Sequence, residues 1–181
     1  MSRIAVIGLG NVLMGDDSFG PHVAKLLDAW YEWPDDVEVV EMGTQGVELT
    51  PFVHDHEAIV VVSSIHDGSA PGTLRTLSRA EVLDPALPAR TPSLRNSPYE
   101  PQIRNHVHKL EFVGGAPRDV WVVGASPSSI ELIGGLTPAV RAALPRAVDA
   151  VLAILRGLGA IPRARDPRPD VRPWWETAKP A

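Results

Sequence analysis

Apolar residues along this chain follow two rhythms. Near-continuous runs rich in Val and Ile, "RIAVIGLG" at 3–10, "VEVVEMG" at 37–43, "EAIVVVSSI" at 57–65 and "DVWVVGA" at 119–125, suit strands buried on both faces of a parallel sheet. Between them, apolar positions recur at helical spacing. Phe19, Val23, Leu26, Leu27 and Trp30 share one face of a helix that follows Asp16 and Asp17, and Ile103, Val107 and Leu110 share one face of another. "TPAVRAALPRAVDAVLAILRGLG" at 137–159 opens with a Thr N-cap and Pro and closes on Gly, so it predicts a helix that Pro145 kinks or restarts. "TLRTLS" at 73–78 alternates like an edge strand, with Arg75 facing water. "GVELTPFVHD" at 46–55 has room for a short helix, and five prolines within 84–102 exclude long regular structure there.

Strands alternating with helices predict an α/β fold, three-layer α/β/α around a twisted, mostly parallel sheet of about five strands. Ligands in such folds bind beyond the carboxyl ends of the strands. "GLGNVLMGDD", "EMGTQG" and "SSIHDG" stand at three of those ends and are polar or glycine-rich. The domain is expected to occupy 1–160, leaving 161–181 as a Pro- and Arg-rich C-terminal tail.

Composition narrows the chemistry. At 181 residues the chain can bury one self-sufficient core. It has no cysteine, which excludes disulfides, thiolate catalysis and Cys-ligated metal, so any metal must be held by oxygen or imidazole. The first apolar run ends at Gly8, too short for a signal segment or a membrane span, and a cytoplasmic protein without a membrane partner is expected. A formal net charge of −5 gives no reason to expect nucleic acid. The tail departs from that balance: "RARDPRPDVRPWW" is locally basic and aromatic, and Trp174 with Trp175 could anchor it on a partner or on the domain itself.

Gly8 and Gly10 form a G-x-G after the first strand and Glu41 ends the second, as in a dinucleotide site. That reading fails, because Leu13 replaces the third glycine and Asp16 and Asp17 fill the helix entrance where a pyrophosphate would bind. Two aspartates there have a plain use as helix cap and dipole partner, worth about 1 kcal/mol. Capping needs one carboxylate; the second is free to meet a divalent cation or to act as acid or base.

"GLGNVLMGDDSFG" resembles the signature of the hydrogenase maturation endopeptidases, strand–G-x-G-N-x-L-x-x-D-D/E-x-x-G–helix. "MGTQGVEL" (42–49) is similar to the second loop of that family, and "APGT" (70–73), "SP" (97–98), "P-x-S" (127–129) and "GLTPAV" (135–140) follow in the family's order. The resemblance covers about residues 3–160 and implies the fold above. It also implies an activity: removal of a short C-terminal extension from the large-subunit precursor of a nickel–iron hydrogenase after nickel insertion. The partner is that precursor, the nickel is the substrate's, no tightly bound cofactor is expected, and the expected state is a monomer.

Family members meet the nickel with an acid in the first loop, an Asp at the end of the third strand and a His after the S-P dipeptide. Carried over by the resemblance, the first is Asp17, the catalytic candidate. The other two positions hold Ser63, with Ser64 its neighbour if the register slips by one, and Tyr99. The Glu usual after the family's proline is Ser128. Serine and tyrosine hydroxyls are poor ligands for nickel. His66 is a possible substitute imidazole and Asp67 a shifted acid, although an Asp-Gly pair is equally an ordinary turn. Gly8, Gly10, Asn11, Asp16, Gly43, Thr44 and Gly46 would shape the cleft. A Ser63–His66–Asp67 nucleophile triad is disfavoured, because one short loop rarely lets three such groups converge. His106 and His108, two apart on a helix, do not share a face, and His54 and His56 are expected at the surface at the far end of the third strand. The alternative function is a non-catalytic member that binds immature hydrogenase subunit as chaperone or scaffold.

Overall fold

The structure, a computed structural model, describes residues 3–43, 53–54, 56–84, 107–112, 114–132 and 135–177. Strand β1 (Ile4–Leu9) is its hub, flanked in parallel by β3 (Val37–Gly43) and β4 (Ala58–Ser64). Beyond β4 the parallel strand β6 (Asp119–Ala125) is followed by β5 (Leu74–Ser78), antiparallel at the edge, for a sheet order β3-β1-β4-β6-β5. The five strands, one of them an antiparallel edge, match the expected sheet.

Alternation along the strands sorts the apolar side chains into two layers. Val6, Val60, Val62 and Val123 face α1 (Phe19–Trp30) and α5 (Leu144–Gly157), where Phe19, Val23, Leu27, Val148, Val151 and Leu155 meet them. Ile7, Ile59, Val61 and Val122 face the other way, onto Val82 of α2 (Arg79–Leu83) and Val107 and Leu110 of α3 (107–112). At roughly 1.5–3 kcal/mol for each fully buried side chain, these layers carry the folding free energy.

Local chemistry explains the joints. The helix predicted over 137–159 divides into α4 (Pro138–Arg141) and α5, and Pro145 falls in the first turn of α5, where a missing N–H costs nothing. Helix α2 had not been expected; a capping box starts it, with Glu81 Oε2 accepting from Ser78 N at 2.8 Å. Most of 46–55 and the first turns of the predicted 103–112 helix lie outside the described residues. His54 is exposed as expected, but His56 is buried, with Nε2 3.0 Å from Glu38 Oε1 on the neighbouring part of the sheet.

The tail docks on the domain itself. A two-stranded ribbon joins β2 (Tyr31–Glu32) to β7 (Arg163–Ala164), and the short helix α6 (Trp174–Thr177) buries Trp175.

Helix α1 lies on bare backbone where it meets the sheet. A Cβ on Gly20 would stand 2.2 Å from Val62 O and 2.3 Å from Leu9 O, and one on Gly8 would stand 2.6 Å from Gly20 O. Backbone atoms cannot swing aside, so Gly20→Ala is expected to destabilise the fold by about 3 kcal/mol, read by urea unfolding. A loss below about 1 kcal/mol would contradict this account of the contact.

Candidate functional site

Chain order places β3 and β4 on opposite sides of β1, so the crevice between their carboxyl ends is the switch point where α/β sheets hold ligands. Two tight loops meet there. The loop after β1 folds on itself through Leu13 N to Asn11 Oδ1 at 3.0 Å and Met14 N to Asn11 O at 3.0 Å, then enters a single 3-10 turn, Gly15–Ser18, before α1. Gly10 N donates to Gly43 O at 3.2 Å, tying this loop to the end of β3. A Cβ on Gly10 would lie 1.8 Å from Asp17 O, so only glycine lets the turn close over the strand end.

The two aspartates of that turn have unrelated surroundings, and neither caps the helix it opens. Asp16, fully buried, reaches across to the segment after β6. Its Oδ2 accepts from Ser128 N at 2.7 Å, Ser129 N at 3.1 Å and Thr137 Oγ1 at 2.9 Å, and its Oδ1 from Thr137 N at 2.7 Å. Asp16 N returns a bond to Ser129 O at 2.9 Å. Four donors, three on Oδ2 and one on Oδ1, hold a fully buried carboxylate and leave it no exposed face for a ligand.

Asp17 turns instead to the end of β4. Its Oδ2 accepts from Asn11 N at 2.9 Å and its Oδ1 from Ser64 Oγ at 2.9 Å, and His66 Nε2 stands 3.4 Å from the same serine oxygen. Burial pushes the Asp17 carboxyl above the ordinary aspartate range, and the bonds from Asn11 and Ser64 only partly offset it. Both of those donors are neutral. The order is carboxylate, hydroxyl, imidazole, whereas a serine nucleophile needs the imidazole in the middle. What the arrangement offers is a buried carboxyl, raised by that burial, beside a hydroxyl and an imidazole at the carboxyl ends of β1 and β4.

The structure thus brings Gly8, Gly10, Asn11, Asp16, Asp17, Gly43 and His66 around one strand end. Ser63, one residue before Ser64, faces the opposite side of β4 with the α3 layer; its Oγ is buried and has no hydrogen-bond partner among the described residues. Thr44, Gly46 and Tyr99 lie outside the described residues. Asp67 behaves as a turn residue: it accepts from Ser69 N at 2.9 Å and pairs with Arg75 at 2.8 Å. Burial raises its carboxyl, and those partners outweigh that and hold it below the usual range. Sequence reasoning missed the donors of Asp16. Their signal lay in "P-x-S" and "GLTPAV", motifs whose contribution is mostly backbone N–H. Among the described residues no three His, Asp or Glu side chains converge as a metal cluster.

Substitution separates the neighbours. In Asp16→Asn the amide NH2 would face backbone donors, and a loss of about 3 kcal/mol is expected by urea unfolding. Asp17→Asn can keep both contacts, with Oδ1 accepting from Asn11 N and Nδ2 donating to Ser64 Oγ, while discarding a desolvated charge; stability at neutral pH should be equal or higher. The raised carboxyl also sets a sign. Its contribution is fully present below the unfolded aspartate value and is lost as pH rises through the raised folded value, so wild-type stability should fall across that window and Asp17→Asn should lack the fall. Destabilisation of Asp17→Asn at neutral pH would refute this assignment.

Residues 21–154 match the model of the hydrogenase maturation protease family. The Hydrogenase 2 maturation protease of Escherichia coli K12 is 36% identical over 164 residues, spanning 89% of this chain and 96% of that protein. The hydrogenase expression/formation protein HupD of Rhizobium leguminosarum bv. viciae is 32% identical over 164 residues, spanning 90% of this chain and 79% of that one. Among solved structures, the hydrogenase maturating endopeptidase HybD of E. coli superposes with a TM-score of 0.80 at 34% identity, covering 90% of this chain and 98% of its own. Sequence and fold agree over nine tenths of the chain, and the protein belongs to the hydrogenase maturation protease family of endopeptidases.

Proposed function

We propose that this protein removes the C-terminal extension from the large-subunit precursor of a nickel–iron hydrogenase, acting as a cytoplasmic monomer, and that the precursor's nickel meets Asp17. The observation that carries the reading is the state of Asp17: a carboxylate taken out of water, bonded among the described residues only to the neutral donors Asn11 N and Ser64 Oγ, with its carboxyl raised by burial. A buried anion of that kind gains most when a divalent cation approaches, because the cation offsets the desolvation that burial imposes. His66, whose Nε2 stands 3.4 Å from Ser64 Oγ, is the imidazole at hand where the usual positions hold Ser63 and Tyr99. Imidazole suits nickel far better than a hydroxyl does. With the nickel seated, the scissile bond comes into register and Asp17 is available to take a proton from the attacking water. No helix among the described residues is long and apolar enough to cross a membrane.

One observation favours a second reading. Ser63 supplies no carboxylate, and no three metal-binding side chains converge among the described residues, as would suit a member that binds the immature subunit without cutting it. Intact-mass spectrometry of a nickel-loaded precursor separates the two. The endopeptidase reading expects loss of one defined C-terminal peptide with wild type, and rates lower by about 100-fold or more in Asp17→Ala and in His66→Ala. An unchanged precursor mass with wild type, and cleavage only by the Ser64→Asp, Tyr99→His double variant, which places the missing acid on the β4 side chain that meets Asp17, would replace it with the binding reading.

A further inference from the structure

We propose that the C-terminal tail is a working part of the site: Trp175 and Glu176 strap the aspartate turn to the segment that grips it, acting through His22 and Arg141. This rests on the endopeptidase reading for its consequence and on geometry alone for its existence. The tail starts at the wrong end of the molecule for such a role. It pairs β7 with β2 beyond the last turn of α1, where Arg165 N donates to Trp30 O at 2.8 Å and Trp30 Nε1 to Pro169 O at 3.2 Å. It then runs back along α1 to the opposite end, so that Trp175 packs edge-on against His22 with ring centroids 5.3 Å apart.

His22 is buried in the first half of α1, and both ring nitrogens are engaged. Nδ1 lies 2.8 Å from Ser18 O, and since a carbonyl only accepts, Nδ1 carries the proton of that bond. Ser18 directly follows Asp17. Nε2 faces the tail: Glu176 Oε1 lies 2.8 Å away, where a carboxylate oxygen can only accept from it, and the Trp175 indole packs alongside with Nε1 3.3 Å away. The same Glu176 oxygen is bonded by Arg141 on α4, one turn after Thr137. It also lies against the loop before α4, within 3.4 Å of where a Cβ on Gly135 would be. One tail carboxylate therefore bridges α1 and α4, and Asp16 joins the residues just before the same two helices from the inside, its own 3-10 turn ahead of α1 and Thr137 ahead of α4. Burial alone would raise the Glu176 carboxyl, but Arg141 and His22 outweigh it and hold it below the usual range, so the bridge stays ionised at neutral pH.

The core does not need this strap. Phe19, Val23 and Leu27 of α1 are already covered by the sheet and α5, and Trp175 stands outside both apolar layers. What the strap adds falls at the site end of α1. Its effect should therefore appear in the order of the aspartate turn and in turnover more than in global stability.

The test compares wild type with Glu176→Gln and with a chain ending at Val171, using two readouts. The first is hydrogen exchange at the amides of Asn11, Ser128, Ser129 and Thr137. The expected result is about tenfold loss of protection at these amides in both variants, with the amides of β1 and β4 unchanged. The second is cleavage of the nickel-loaded precursor, where kcat is expected to fall about tenfold with KM unchanged, as for a group that positions the reacting atoms without binding substrate. Should the truncated chain misfold, Glu176→Gln decides alone. Faster exchange confined to the tail, or a change in KM with kcat intact, would overturn the proposal. If wild type cleaves no precursor, the endopeptidase reading fails while exchange at Ser128, Ser129 and Thr137 still decides whether the strap holds the turn.

Discussion

The Asp16 carboxylate is the constraint on which the rest of the site depends. A fully buried charge with its four bonds to donors more than a hundred residues away leaves the turn after β1 one position, because any displacement orphans several buried groups at once. Holding that position fixes the backbone of the next residue, and with it the direction in which Asp17 faces. The division of labour follows from simple chemistry. A carboxylate whose acceptor sites are filled is structural, and one short of partners and short of water is reactive.

The glycines make this closure possible. With side chains at Gly8, Gly10 or Gly20, the turn and α1 could not lie on the backbone of β1 and β4, and the aspartates would stand away from the strand ends. Sheet topology supplies the other half. Since β3 and β4 leave β1 on opposite sides, the crevice at the carboxyl ends opens beside the turn, and Ser64 at the end of β4 is the first side chain that Asp17 meets. Burial that raises the Asp17 carboxyl works against stability, as expected where a site trades stability for chemistry.

The sheet was legible because strands buried on both faces need continuous apolar runs, and the edge strand β5 because its exposed face needs alternation. The restart at Pro145 followed from the missing N–H of proline. Helix α2 was hidden by its five-residue length, too short for a periodic signal, although Ser78 and Glu81 marked its start. The grip on Asp16 was illegible for a deeper reason: three of its four donors are backbone N–H groups, which almost every residue type possesses. Which serine of Ser63–Ser64 faces Asp17 turns on a one-residue register, and alternation says that the two face apart without saying which way. His22 carried a readable sign, since it stands within the apolar stripe of α1, but its tail partners lie more than 150 residues away.

X-ray absorption at the nickel edge tests most directly the claim that the substrate's metal meets Asp17. Spectra would be taken of a nickel-loaded large-subunit precursor alone, with this protein, and with its Asp17→Asn variant. The account predicts that the nickel gains an oxygen or nitrogen ligand in the wild-type complex and not in the variant complex. Identical spectra from the two complexes, with binding verified for both, would contradict it.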